Sequence, residues 1–361
     1  MNTNIKIRPV IVVMMILLSS VAYGMQNEYV KPFKKEFPAD QKTILEIQNK
    51  YGNVDIKDWD KALISIEVKI IVRSPNKEKA DKILENINIK LEQDGNTVRA
   101  VTEFSENLSN VFRNFDNDEK NLEINYSVYM PKTIPLNLDN KYGNVFINEL
   151  TSTSTLDVKY GKLTANKILH DSEQPLTQIV LGYSNATIQE CKWIKVDIKY
   201  SKLQISQSKA IIFLSKYSKI YVDNASSIVC ESKYDTYELG DLNNLVVTAA
   251  YSHFSAKTLT NKLQIESKYT DVSIDNVPAD FEQIKVDNSY GAYKIAISPE
   301  ASYKIEGFAK YCKIQYPEEN ARVNRFNENT NMKVNGLIGN NEATKSSVIL
   351  STSYGNIKLV K

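Results

Sequence analysis

Residues 199–205 read KYSKLQI, residues 216–222 read KYSKIYV and residues 233–239 read KYDTYEL. Each is Lys-Tyr-small-x-apolar-x-apolar, and Tyr200, Tyr217 and Tyr234 lie 17 residues apart. The same interval separates Tyr183 from Tyr200 and Tyr234 from Tyr251, a run of equal spacings that composition alone does not produce. Working outward, the tyrosine of the unit recurs at Tyr51, Tyr142, Tyr160, Tyr269, Tyr290, Tyr311 and Tyr354. Longer intervals coincide with polar insertions at 170–175, 277–280 and 298–301, read as loops bulging from single units. Between Tyr311 and Tyr354 there is room for about two units, and the Asn-, Glu- and Gly-rich middle near Met332 reads as a loop or a ragged coil.

Within a unit the apolar positions lie four before the tyrosine and three and five after it, as in Val196, Leu203 and Ile205. Alternation of this kind marks half-buried strands. Tyr200 shares the phase of Val196 and Ile198, whereas Leu203 and Ile205 have the opposite phase, so the chain turns just after the tyrosine. The next residue is Gly52, Gly143, Gly161, Ser184, Ser201, Ser218, Ser252, Gly291 or Gly355, small enough for a corner or a positive φ. A short strand, a corner, a second strand and a polar return make one coil. The expectation is an all-β parallel β-solenoid, β-helix-like, with coils of about 17 residues pairing about 4.8 Å apart. Tyr142, Tyr160, Tyr183, Tyr200, Tyr217, Tyr234, Tyr251, Tyr269, Tyr290 and Tyr311 then form a structural column, with stacking on sugar as the alternative.

Lysine precedes the tyrosine at 50, 141, 159, 199, 216, 233, 268 and 310, in the outward phase. Three residues before the tyrosine, on the same face, stand Asp139, Asp157, Asp197, Glu231, Glu266 and Asp287. One reading is a charge-compensated solvated face that discourages edge pairing. The other makes Lys199, Lys216 and Lys233 a ligand-contacting strip for acidic glycans.

At the N-terminus Lys6 and Arg8 precede the apolar run Val10 to Leu18 and the small-residue site Ala22-Tyr23-Gly24. This reads as a signal peptide over residues 1–24, too short to span a bilayer, and no cysteine stands at the cleavage site to carry a lipid. Two of the 45 Lys and Arg and none of the 43 Asp and Glu fall in that leader, so the expected mature chain is neutral. Neutrality argues against a nucleic-acid partner, and no later segment has the length of a transmembrane helix. Cys191, Cys230 and Cys312 are too few for a disulfide scaffold. They read as small buried residues, with a Cys191–Cys230 bridge as the alternative.

Residues 25–135 read as an N-terminal β-rich part and residues 136–361 as the repetitive solenoid. In the former, strands are expected at 62–72, 97–104 and 122–130, with a polar loop over 105–120. A helix is expected over about 75–87, with Pro75 in its first turn and Ala80, Ile83, Leu84 and Ile87 on one face. The segment NKYGNVDIKDWDKALISIEVKI at 49–70, the helix, the strand ending at Pro131 and the second NKYGNVFI at 140–147 resemble the putative-adhesin family of bacterial envelope proteins, a domain of unknown function. That resemblance implies export and a solenoid, and brings no catalytic residue with it. The central Lys-Tyr-Ser coils depart from the pattern.

A hydrolytic triad or histidine metal site needs converging histidines, but His170 and His253 occupy different coils and different positions of the unit. No phosphate loop or dinucleotide fingerprint follows a strand, so no cofactor is expected. A lyase or glycosidase needs only two carboxylates and stays as the enzyme alternative, though the acids follow the repeat. A membrane barrel would need strands of about ten residues, longer than these. The expectation is a non-enzymatic exported protein of the periplasm or cell surface, an adhesin or interaction scaffold for an envelope protein or surface glycan. A periplasmic part in an envelope-stress or signalling circuit is the other alternative.

Overall fold

The computed structural model describes residues 27–105 and 121–361. The expected signal peptide and nearly all of the expected loop at 105–120 lie outside the described residues. Among the described residues the fold is all-β apart from one helix, mostly parallel and solenoid-like, with every strand joined into a single sheet system.

The middle of the chain shows how the pattern produces this. Strands Lys202–Lys216, Lys219–Lys233 and Thr236–Ala250 pair in parallel, with Leu203 beside Ile220 and Ile220 beside Tyr237. Each coil is nearly one bent strand, interrupted at the tyrosine and its successor. In the coil opened by Tyr200 the inward residues are Ser201, Leu203, Ile205, Ser208, Ile211, Phe213 and Ser215. Alternation therefore slips at Ser208 as well as at the tyrosine, and the coil has further corners there. The stretch expected to be a polar return contributes an interior column instead. Cys191, Ser208, Ala225, Leu242 and Leu259 lie in register along it, all buried.

The tyrosine corner differs from the expectation in a specific way. All twelve repeat tyrosines have positive φ, between 51° and 67°, so the tyrosine takes the left-handed conformation and not the small residue after it. That conformation breaks the alternation: the tyrosine swings outward although its phase was inward, and the next residue points into the coil. Tyrosine N–H groups still bond across the stack, as Tyr200 N to Lys216 O at 3.1 Å.

The residue after the tyrosine is small because of what it approaches. A Cβ on Gly143 would sit 1.9 Å from Gly52 O of the neighbouring coil. In three of the five glycine corners a buried asparagine two before the tyrosine reaches around the turn. Asn49, Asn140 and Asn288 each donate through Nδ2 to the carbonyl of the corner glycine, at 3.2, 3.0 and 2.7 Å. The Lys-Tyr-Ser coils solve the same problem with a hydroxyl. Ser184 N donates to Ser201 Oγ at 2.9 Å, Ser201 N to Ser218 Oγ at 3.3 Å, and Ser218 N to Asp235 Oδ1 at 2.8 Å. Serine corners are thus a second way to satisfy buried backbone groups that would otherwise be costly.

Antiparallel elements close both ends. Near the N-terminus, β1 (Asn27–Pro38), β2 (Ile44–Lys50), β3 (Val54–Asp58), β4 (Leu63–Ser74), α1 (Lys77–Glu85), β5 (Ile87–Asp94), β6 (Thr97–Phe104) and β7 (Leu122–Met130) follow in order. The expected strands at 62–72, 97–104 and 122–130 correspond to β4, β6 and β7; β1 and β5 were not foreseen. Strands β2 and β3 flank Tyr51 and pair in parallel with β6 and β7, and β1 and β4 then extend the β7 side antiparallel. Helix α1 is capped by Asn76, so Pro75 precedes the helix instead of starting it. Ala80 and Ile83 are buried under α1, while Ile87 belongs to β5.

At the other end the segment expected to be a loop near Met332 is a β-hairpin, Ala321–Glu328 with Asn331–Ile338, paired antiparallel to Tyr303–Lys310. The last strand before Tyr354, Ser347–Ser353, lies between Gln283–Ser289 and Tyr303–Lys310 and is parallel to both. The final coil is therefore inserted between two earlier ones. Parallel pairing around an apolar interior is also the reverse of a membrane barrel, whose strands are antiparallel and whose outer face is apolar.

Two substitutions test the corner chemistry. Ser201→Ala, which leaves Ser184 N–H without its acceptor, should lower unfolding free energy by about 1–3 kcal/mol in a urea melt. Gly143→Ala should cost more, because backbones and not side chains must move.

Candidate functional site: an exposed tyrosine ladder

Because the left-handed corner turns each tyrosine outward, the column is a surface feature and not part of the core. The rings from Tyr142 to Tyr354 are 41–56% exposed. Adjacent rings stack nearly parallel, with centroids 4.8–5.4 Å apart and interplanar angles of 3–16°. The spatial order follows the sequence from Tyr51 to Tyr290 and then runs Tyr354, Tyr311. Since the rings face one another along the stack, the solvent sees their edges and phenol oxygens. Sugar stacking, which needs an open ring face, has no place within the interior of the ladder.

Two rows of side chains border it. Lys199, Lys216 and Lys233 are exposed and in register on one side, as the outward phase of the residue before the tyrosine predicted. Like charges so placed repel, and the structure relieves this unevenly. Lys199 pairs with Asp197 at 3.2 Å, and the Lys233 ammonium lies 5.3 Å from the Tyr234 ring centre. Lys216 has no ion pair among the described residues; the position of the needed acid is Leu214. Farther along, Lys141 pairs with Asp139 and Lys159 with Asp157, at 3.3 and 2.7 Å. Asp139, Asp157 and Asp197 thus give the compensation expected of the acids of the repeat, at about 1 kcal/mol or less each, whereas Glu231, Glu266 and Asp287 form no ion pair among the described residues.

The second row was not singled out from the sequence. Asn185, Lys202 and Lys219, two residues after their tyrosines, are exposed and in register on the other side. They line a shallow trough with Tyr183, Tyr200 and Tyr217. Lysine at that position in consecutive units was the signal available. Over these coils the ladder thus runs between two rows rich in amines.

The other expected residues stay apart. His170 Nε2 lies 2.9 Å from Thr153 Oγ1 in an inserted loop, and exposed His253 stands in the second row beyond Thr236. Among the described residues no cluster of three His, Cys, Asp or Glu side chains could hold a metal. Cys191 and Cys230 are free and lie two coils apart, about 10 Å along the stack by coil spacing, too far for a bridge. Burial pushes the Cys191 thiol up to about 12 and raises that of Cys230 as well.

No family model and no curated protein matches the chain. Among solved structures it is similar to a putative cell adhesion protein from Clostridium sporogenes, at 9% identity over 91% of this chain and 99% of that one, with a TM-score of 0.19. A putative adhesin from Bacteroides fragilis shares 10% identity over 91% and 97% of the two chains, with a TM-score of 0.33. A putative lipid binding protein from Parabacteroides distasonis shares 8% over 91% and 97%, with a TM-score of 0.31. The Bacteroides fragilis protein carries the name of the family that the NKYGN segments resemble.

A left-handed tyrosine costs about 1–2 kcal/mol, and offset stacking returns about 0.5–1.5 kcal/mol per contact. Tyr217→Ala loses two contacts but keeps the strain, so it should destabilise by about 1–3 kcal/mol. Tyr217→Gly relieves the strain and should cost measurably less in the same melt. For the thiols, native protein at pH 8 should react with a thiol reagent at Cys312 alone, and all three cysteines should react after denaturation.

Proposed function

We propose that the protein is an exported, non-enzymatic envelope protein, an adhesin or interaction scaffold whose contact surface is the tyrosine ladder with its bordering amines. One observation carries this reading. Every repeat places a bulky ring at a backbone conformation where glycine would sit without strain, and spends that strain on an exposed side chain. Stacking along the ladder uses the ring faces and returns about what the strain costs, and it leaves the ring edges and phenol oxygens to solvent.

The chemistry of the surface favours a long acidic partner. Phenol hydroxyls and amines repeat at about the coil spacing of 4.8 Å, so a polymer lying along the stack meets the same groups again and again. Each contact is weak, and multivalency makes the sum useful. The backbone under these groups is held in register by both neighbours, so little ordering is lost on binding. An acidic surface glycan meets these terms, and an envelope protein with an acidic strip is the other outcome of the test.

The experiment compares the chain from residue 25 with a Lys199→Gln, Lys216→Gln, Lys233→Gln variant on a glycan array and in pulldowns from envelope extract. Salt-sensitive binding of an acidic glycan that weakens at least tenfold in the variant supports the lysine row as a contact face. Recovery of one envelope protein by both forms, without glycan binding, would make the row structural and the partner a protein. Turnover of a polysaccharide that stops when one carboxylate pair is mutated would overturn the non-enzymatic reading.

A further inference from the structure

The ladder ends at Tyr311, and that end is chemically unlike the rest. Rings between Tyr142 and Tyr354 have a neighbouring ring on both faces, whereas Tyr311 has Tyr354 on one face, 4.9 Å away. Among the described residues no ring covers its other face. Tyr311 instead lines a basin of about 1020 Å³, walled by the terminal hairpin. The basin is open to solvent and has room for a small ligand.

A second ring, Tyr316, stands in the same basin and is held in place. The Arg325 guanidinium lies 5.0 Å from its centre, Arg325 Nε donates to its phenol oxygen at 3.2 Å, and another guanidinium nitrogen donates to Glu318 at 2.9 Å. The arginine and the carboxylate are thereby committed to each other. Between the two rings the lining is amide, from Asn327, Asn331 and Asn356 among others. Asn356 Oδ1 accepts from Lys313 N at 3.0 Å, which leaves its Nδ2 free of protein partners among the described residues. Asn331 Oδ1 is closed off from solvent and has no hydrogen-bond partner among the described residues.

We infer that this basin binds a neutral saccharide unit. A pyranose ring has an apolar C–H face that suits an open aromatic ring and a belt of hydroxyls that suits amides, each hydroxyl donating and accepting. An inorganic anion would find Arg325 already paired and only the single exposed amine of Lys313 in the lining, and an acyl chain would meet amides it cannot satisfy. The exposed Lys310 ammonium, 5.7 Å from the Tyr311 ring centre, stands over the ring and would have to move aside for a sugar, as a long flexible side chain can. The inference rests on the reading of this protein as a binding surface and gives it a second site of different chemistry.

The test uses the chain from residue 25 on an array of neutral glycans, followed by titration of the best ligand at low and high salt. Tyr311→Ala and Tyr316→Ala should each weaken binding roughly tenfold or more. Tyr311→Phe, which keeps the ring, should bind like the parent, and melting curves check that each variant folds. Bound saccharide should slow modification of Cys312, which lines the basin, while the triple lysine variant and added salt should leave affinity unchanged. Binding that survives both alanine variants, or the absence of any neutral glycan that protects Cys312, overturns the inference. If acidic glycan binding through the lysines persists in that case, the basin fails alone; if both are lost, the broader reading fails with it.

Discussion

Parallel pairing in register sets each residue of a coil over its counterpart in the next, about 4.8 Å away. A single coil of this chain cannot bury Leu203, Ile205, Ile211 or Phe213; the coils above and below do it. The same constraint makes every local choice repeat. A small residue after the tyrosine has to recur because its neighbour's backbone passes close by. A hydrogen-bonding side chain at the corner has to recur because each buried N–H or carbonyl there faces another like it. The exposed ladder is the outward expression of this constraint, since rings fixed to equivalent corners have nowhere to go but over one another.

Strain and stacking are close in size at each tyrosine, which explains why the ladder can be long without dominating stability. Its rigidity comes from the corner beneath: the interior serine, asparagine and aspartate side chains lock the turn, and the turn aims the ring. Asp235 shows how far this goes, accepting from Ser215, Ser232 and the backbone of Ser218 and Lys233 inside the stack. A polar interior column therefore organises an aromatic exterior one.

Ends are where the repeat stops paying for itself, and both are built from other material. β1, β4 and β5 turn antiparallel over the first coils, and the Ala321–Glu328 hairpin does so over the last. Ending the stack leaves one ring face without a partner at Tyr311. The basin beside it exists because a cap of different sequence meets a ladder that has run out of rings.

Much of this was legible in the residues. Spacing and alternation determine the parallel solenoid-like architecture, the outward lysines and the inward apolar positions, because those depend only on a period and a phase. The direction of the tyrosine was not legible: phase counting assumes an unbroken strand, and a left-handed residue breaks it at the very position being counted. Nor was the polar return recognisable as interior, since Ser208 and Ala225 are small rather than strongly apolar, although they stand in one buried column with Leu242 and Leu259. The sequence by itself determined the period of the repeat and the phase of its apolar positions. Which coils are neighbours at the end of the chain, and hence the place of Tyr354 between Tyr290 and Tyr311, only the tertiary structure decided. Every coil carries the same edge, so the pairing of the last ones is settled by where the hairpin returns the chain and not by any residue within them.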